Sequence, residues 1–288
     1  MGSRKYEDGR ILRFSRVSTR FTDAAQTQRD SLSADEIRPI SHRSTNDKVL
    51  SIVQPLVRPG VRIADVGAGE GFFSQLLGEY VKSTLKVPAS DIITASDIFP
   101  EYFRYPAVKC LKISPDGRLP YDDASIDVAC SLEVVEHVED QFAFARELYR
   151  VLKPGGTAII STPNVLNANS RWRNLHSGFA VLFDPLLLSS SDPVHTSGHI
   201  NPVNYYYLAY QLRRAGFRDT AVAYDRFKNS ARFITIVLGP AIWIGNRLLN
   251  RKLSARKPDV AGENASILKD LWSMDMLTSR SVIAIATK

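Results

Sequence analysis

The stretch Val61–Gly71, VRIADVGAGEG, is a short apolar run that opens directly onto glycines. Asp65, Gly67, Gly69 and Gly71 stand at alternate positions. Glycines at a strand end permit a tight strand-to-helix turn and let a ligand approach the backbone closely. A dinucleotide fingerprint would need a glycine where Phe72 stands, and no Gly-Lys-Ser/Thr follows, so pyrophosphate and nucleoside triphosphate cradles are excluded. A second acid, Asp97, closes the next apolar run, where a carboxylate can accept hydrogen bonds from both ribose hydroxyls. Together they point to an adenosine-containing ligand at the carboxyl edge of a sheet.

Working outward, strand and helix patterns alternate. Apolar positions between Ser44 and Val57 predict a helix ended by Pro59-Gly60, and Phe72–Val81 a second. Strands are predicted at Asp91–Ser96, Ala107–Ile113, Ile126–Ser131 and Thr157–Ser161, with a helix over Phe142–Leu152 that Lys153-Pro154-Gly155-Gly156 stops. Residues 163–202 read as a long Ser/Asn/Pro-rich connection, a length expected of a functional lid. A helix over Val203–Ala215, a strand near Phe217–Tyr224, a helix near Ser266–Leu277 and a strand at Ser281–Ala286 follow. Such alternation with short turns gives an α/β doubly wound fold, a mostly parallel sheet covered on both faces.

The 288 residues are 44% hydrophobic and 23% charged, which excludes disorder and fibrous repeats. Cys110 and Cys130 form no CxxC pair, so a disulfide scaffold and a cysteine zinc site are out, and a reducing cytoplasm is expected. The first residues, MGSRKYEDGR, lack the apolar core of a signal peptide. Ile11, Phe14, Val17 and Phe21 recur among arginines at helical spacing, either a basic amphipathic helix or a loosely packed arm. The expected layout is an arm over 1–43 and one domain over 44–288, with insertions at 163–202 and 226–278.

VRIADVGAGEG, the acid in ITASDI, LPYDDASIDVACSLEVVEHVED and VLKPGGTAIISTPN occur here in one order. In these pieces the chain resembles the class I S-adenosylmethionine-dependent methyltransferases over 61–164, and more loosely over 203–224. The resemblance implies a Rossmann-like seven-stranded sheet whose last strand, Ser281–Ala286, inserts antiparallel beside the strand at 217–224. It also implies that Asp65, Gly67, Ala68, Gly69 and Gly71 hold the methionine part of S-adenosylmethionine and Asp97 its ribose. Ile98, Asp116 and Ser131 complete the expected cofactor contacts. One departure is that relatives place an acid beside adenine where Pro115 stands, the nearest acid here being Asp116.

Glu133, Glu136 and His137, at i, i+3 and i+4, are expected on one face of a helical turn after the fourth strand. Two carboxylates and an imidazole there can ligate a divalent cation, magnesium or zinc, that lowers the pKa of an oxygen nucleophile. SSSDPVHTSGHINP supplies His195 and His199, and His199 is the expected fourth ligand. The ExxEH string also resembles segments of ubiquinone-biosynthesis O-methyltransferases and of small-RNA 3′-terminal 2′-O-methyltransferases. Two other readings stay open: a metal-free site in which Glu133 lines the acceptor pocket and His137 is the base, and plain structural capping. His42 and His176 show no partner pattern and are expected on the surface.

Charge is localised. Residues 226–257 hold Arg226, Lys228, Arg232, Arg247, Arg251, Lys252, Arg256 and Lys257 and no acid; of a net charge of +7, these eight leave the remainder at −1. Within this segment FITIVLGPAIWIGN is uncharged, broken by Gly239-Pro240, and shorter than the ~20 residues a membrane span needs. The segment is expected either at an anionic membrane surface, peripheral on the inner membrane face, or as an extra helix packed on the domain or at a dimer seam.

These readings favour O-methylation of a hydroxylated small molecule, glycan or lipid-linked acceptor. Ser131-Leu132-Glu133 stands where amino-group methylation carries an Asn/Asp-Pro-Pro-Tyr motif. STPN followed by GHINP also loosely resembles methyltransferases of bacterial cell-surface polysaccharide pathways. RNA 2′-O-methylation is the alternative enzyme reading, and the near-neutral body counts against RNA as partner. A cofactor-binding scaffold without turnover is the non-enzymatic alternative.

Overall fold

The apolar runs become strands because both of their faces are covered by helices. A computed structural model describes residues 37–189 and 198–288. The Ile11–Phe21 stretch and His195 lie outside the described residues. Strands β1 (Ile63–Val66), β2 (Ile93–Asp97), β3 (Cys110–Lys112), β4 (Ile126–Leu132), β5 (Leu152–Pro163), β6 (Asp219–Tyr224) and β7 (Ser281–Thr287) form one sheet. Their order is β3-β2-β1-β4-β5-β7-β6, with β7 antiparallel to both neighbours. The last strand therefore inserts between β5 and β6, as the sequence leads one to expect.

Helices α1 (Arg43–Val53) and α2 (Phe72–Leu85) cover one face, burying Val49, Val53, Leu77 and Val81 against Ile63, Ile93 and Val128. Helices α3 (Gln141–Val151) and α5 (Tyr205–Ala215) cover the other, packing Leu148, Val151, Leu208 and Leu212 against Ala64, Val66 and Ala129. Successive residues of β1 thus serve opposite cores, which is why the run reads as continuously apolar.

Four expectations change. Lys153-Pro154-Gly155-Gly156 does not precede the fifth strand but lies inside it. Ile126 pairs with Leu152 and Val128 with Thr157, so Lys153–Gly156 bulge opposite Asp127. A Cβ on Gly156 would stand 2.8 Å from the Lys153 carbonyl oxygen and 3.1 Å from that of Asp127, both backbone atoms that cannot move aside. Gly156→Ala is expected to destabilise the protein by about 1–3 kcal/mol in denaturant titration.

The connection 163–202 is not wholly irregular: it contains helix α4 (Ala168–Ser177). Asn167 caps its first turn by accepting the Ser170 N–H at 2.9 Å. Asn164 anchors the approach, its amide donating to the Met276 carbonyl at 2.7 Å and the Ser279 hydroxyl at 2.9 Å.

Gly239-Pro240 does not break the insertion. Helix α6 runs unbroken from Asn229 to Arg256 with Pro240 inside it. The Ile236 carbonyl that Pro240 cannot serve sits on an exposed turn, where water replaces the missing donor. By length and composition alone α6 is long and apolar enough to cross a membrane, against the sequence expectation of a short broken run.

Beyond it, α7 (Pro258–Glu263) precedes two helices where one was expected, α8 (Ala265–Asp270) and α9 (Met274–Thr278). Ser273 separates them by capping α9, its hydroxyl accepting the Met276 N–H at 3.0 Å.

Candidate active site

At the carboxyl edge, β1 delivers Asp65 and the glycine loop into a cleft of about 230 Å3. Asp65 is buried and accepts the Ser74 hydroxyl of α2 at 2.7 Å. Burial pushes its carboxyl up to about 7, opposed by the Ser74 hydrogen bond and reinforced by the nearby Asp97 charge. Gly67, Ala68 and Gly69 line the cleft, and the N–H groups of Gly67 and Ala68 donate to the Ser96 carbonyl at 2.8 and 3.1 Å. Gly67 has φ +75°, and a Cβ there would stand 2.4 Å from Val134 Cγ2, so glycine is required twice over.

The other wall is built by the turn after β4 and the end of the 163–202 connection. Glu133 adopts φ +55°, outside the 3-10 turn Val135–His137. The three residues therefore do not share one helical face. Glu133 lines the cleft with Oε1 buried and, among the described residues, without a hydrogen-bond partner. Burial pushes its carboxyl up to about 7, against the pull of Arg280. Glu136 is fully buried behind the cleft, where Oε2 accepts the Thr162 hydroxyl at 3.1 Å. Burial and the Glu133 charge hold its carboxyl well above the usual range.

The segment Gly198–Asn201 is stitched to this turn. The N–H groups of Ile200 and Asn201 both donate to the Glu136 carbonyl at 3.0 Å. His137 Nδ1 lies 2.9 Å from the Gly198 carbonyl, to which it donates. The His137 and His199 rings meet edge to face at 4.8 Å between centroids, and Phe183 closes on His199 at 5.1 Å. Burial and His137 lower the His199 pKa, favouring its neutral ring.

Ligand atoms of Glu136, His137 and His199, the expected fourth ligand, lie within 4.8 Å of one another; Glu133, expected beside Glu136 and His137, is not in this group among the described residues. Glu136 Oε1 and His199 Nδ1 are buried without a hydrogen-bond partner among the described residues. A buried carboxylate oxygen and an imidazole nitrogen left unsatisfied beside a second imidazole are a donor set that a divalent cation satisfies, so the residues fit a metal.

Several expected cofactor contacts stand elsewhere. Asp97 does not line the cleft: Oδ2 accepts the Gly69 N–H and Oδ1 the Phe99 N–H, each at 2.9 Å, so it holds the loop in shape. Gly71 caps α2 with φ +93° against the Phe103 ring. Ile98 packs against the core, and Ser131 is buried at the end of β4 with an unpaired hydroxyl. Asp116 is exposed and accepts the Arg118 N–H at 3.2 Å within its own turn.

Sequence reasoning missed the third wall. Arg38, Ile40, His42 and Asn46 line the cleft, as do Arg280 and Ser281. His42 is exposed, as expected, and also accepts a hydrogen bond from Arg226; partial burial and that guanidinium lower its pKa. His176 is exposed, its ring edge-on to Trp172. Ile40, 78% exposed, lies across the loop with Cδ1 2.5 Å from where a Gly69 Cβ would stand. It takes up part of a cleft smaller than the ~300–1,000 Å3 of most ligand pockets. Arg280 had one available signal: an antiparallel last strand begins at the edge where its parallel neighbours end, and Ser281 pairs with Pro163.

The raised Asp65 pKa gives a pH prediction. A carboxyl raised in the folded state contributes stability present below its unfolded value near 3.8 and lost as pH rises through about 7. Relative to Asp65→Asn, the ligand-free wild type is expected to lose on the order of a few kcal/mol between pH 5 and pH 8. Melting temperatures of the two proteins across that range check the sign; parallel curves would contradict it.

Residues 64–160 match a family model described as a methyltransferase domain. The chain is 33% identical over 105 residues to a probable S-adenosylmethionine-dependent methyltransferase of Mycolicibacterium smegmatis, covering 36% of this chain and 39% of that one. It is 30% identical over 115 residues to a ubiquinone biosynthesis O-methyltransferase of Xanthomonas campestris, covering 37% and 44%. The chain thus spans less than half the length of these relatives. A solved S-adenosylmethionine-dependent methyltransferase from Archaeoglobus fulgidus aligns with TM-score 0.50 at 16% identity, over 84% of this chain and 94% of that one. The fold is thus the one seen in a solved S-adenosylmethionine-dependent methyltransferase, and residues 64–160 are similar to a methyltransferase domain.

Proposed function

We propose that the chain is an S-adenosylmethionine-dependent methyltransferase that methylates a hydroxyl oxygen of a small-molecule, glycan or lipid-linked acceptor. One observation carries the reading: a single cleft has the Asp65–Gly69 loop on one wall and Glu133, His137 and His199 on the other. The first wall suits the methionine end of the cofactor, and the second suits an acceptor hydroxyl facing it. The likeness over 115 residues to an O-methyltransferase supports oxygen as the nucleophile.

In the reaction the acceptor oxygen forms a bond to the sulfonium methyl carbon as the carbon–sulfur bond breaks, leaving S-adenosylhomocysteine. The hydroxyl proton passes to the Glu133 carboxylate, whose Oε1 has no other partner among the described residues. Glu136, His137 and His199 would hold a divalent cation, and two imidazoles beside one carboxylate suit zinc better than magnesium. When bound, that cation supplies Lewis-acid polarisation of the acceptor hydroxyl. His137 is held for this by the Gly198 carbonyl, and Glu136 by the Thr162 hydroxyl. Ile40 and Leu182 restrict water at the reacting centre.

The test offers methyl-labelled S-adenosylmethionine and a lipid extract, a soluble metabolite and glycan pool, or small RNA, with and without EDTA. Label recovered as an O-methyl group in the lipid or soluble fraction, reduced by EDTA, supports the reading. Label in RNA, or on nitrogen or carbon, overturns it.

A further inference from the structure

The face that α6 turns away from the domain has no part in the cleft. Ala231 and Thr235 are buried against the domain, and Ser230 Oγ accepts the Asn169 amide of α4 at 2.9 Å. Phe233, Ile236, Val237, Trp243, Ile244 and Leu248 are 52–75% exposed. Their spacing places them in one stripe along the helix, opposite Ala231 and Thr235. The packed side is therefore narrow and the apolar side faces out, the reverse of an ordinary surface helix.

The charges around the stripe are of one sign. Arg232 flanks its start, and Arg247, Arg251 and Lys252 its end, with no acid between 226 and 257. The Arg247 guanidinium lies 5.5 Å from the centre of the Trp243 ring, a cation–π pair at the point where apolar gives way to basic.

We propose that this face docks on an anionic lipid bilayer, with α6 lying in the headgroup interface. Apolar side chains backed by arginines are the chemistry that such a surface takes, and tryptophan is suited to headgroup depth. A second copy of the chain is a poorer occupant, because apposed stripes bring Arg232, Arg247 and Arg251 against one another with no acid to pair them. Spanning is poorer as well. The uncharged run Phe233–Asn246 is 14 residues. At ~1.5 Å per residue it covers about 21 Å, against a hydrocarbon core of about 30 Å. The docking is independent of the methyl-transfer reading, and its test uses no activity.

The full chain is mixed with vesicles of phosphatidylcholine alone or with 30% phosphatidylglycerol, then sedimented. The expected result is at least about tenfold more protein on the anionic vesicles at low salt, most of it released at high salt. Ile236→Asp with Ile244→Asp, at exposed positions, is expected to abolish binding with the melting temperature unchanged. Brominated lipid is expected to quench the wild-type tryptophan emission and to spare Trp243→Phe. Equal sedimentation with both vesicle types, or binding untouched by the double substitution, overturns the proposal. So does a wild-type dimer that the double substitution turns into a monomer, or vesicle-bound protein that resists alkaline carbonate.

Discussion

Glu136→Gln is expected to lower kcat for methyl transfer by about 100-fold or more while S-adenosylmethionine affinity stays within about threefold. Glu136 lies behind the cleft, away from the glycine loop, so its loss does not touch the cofactor wall. Glutamine keeps an oxygen for the Thr162 hydroxyl and cannot ionise, so the fold is expected to hold while the anionic ligand is lost. His199→Ala is expected to give the same kinetic split, and both variants to lose stoichiometric zinc by elemental analysis. Zinc content and turnover that both survive in Glu136→Gln would remove the cation from the account.

Gly67→Ala is expected to weaken S-adenosylmethionine binding by at least about tenfold in calorimetric titration. Two costs combine, a left-handed backbone at φ +75° and a Cβ driven into Val134. Gly60→Ala separates them: Gly60 has φ +77° with nothing within 4 Å of its would-be Cβ. It pays the backbone strain of about 1–2 kcal/mol and is expected to bind cofactor normally. Equal losses in both variants would assign the effect to strain rather than to the shape of the loop.

The sheet is legible in the sequence because its strands are apolar runs closed by turn signals and the helices that cover it bury periodic apolar stripes. Asp65 and the loop are legible for the same reason, since glycines at alternate positions have few other uses. Spacing alone misplaces Glu133, because i, i+3, i+4 puts carboxylates on one face only if every residue is right-handed, and Glu133 has φ +55°. The His42–Arg226 and Asp225–Ser281 contacts join distant parts of the chain, and no local pattern encodes them. Asp97 ends its strand as the pattern predicts, and its oxygens also accept the Gly69 and Phe99 N–H groups, contacts that no local pattern encodes. Gly239-Pro240 reads as a break, yet an exposed helix turn tolerates a proline whose freed carbonyl is solvated.

The central claim is that the cleft between the glycine loop and the Glu133–His199 wall is an S-adenosylmethionine site. Titration of S-adenosylmethionine into the purified full chain by isothermal calorimetry tests it most directly. The account predicts one saturable site per chain, competed by S-adenosylhomocysteine and weakened in Gly67→Ala. Absence of saturable binding, or a site that Gly67→Ala leaves untouched, would contradict it.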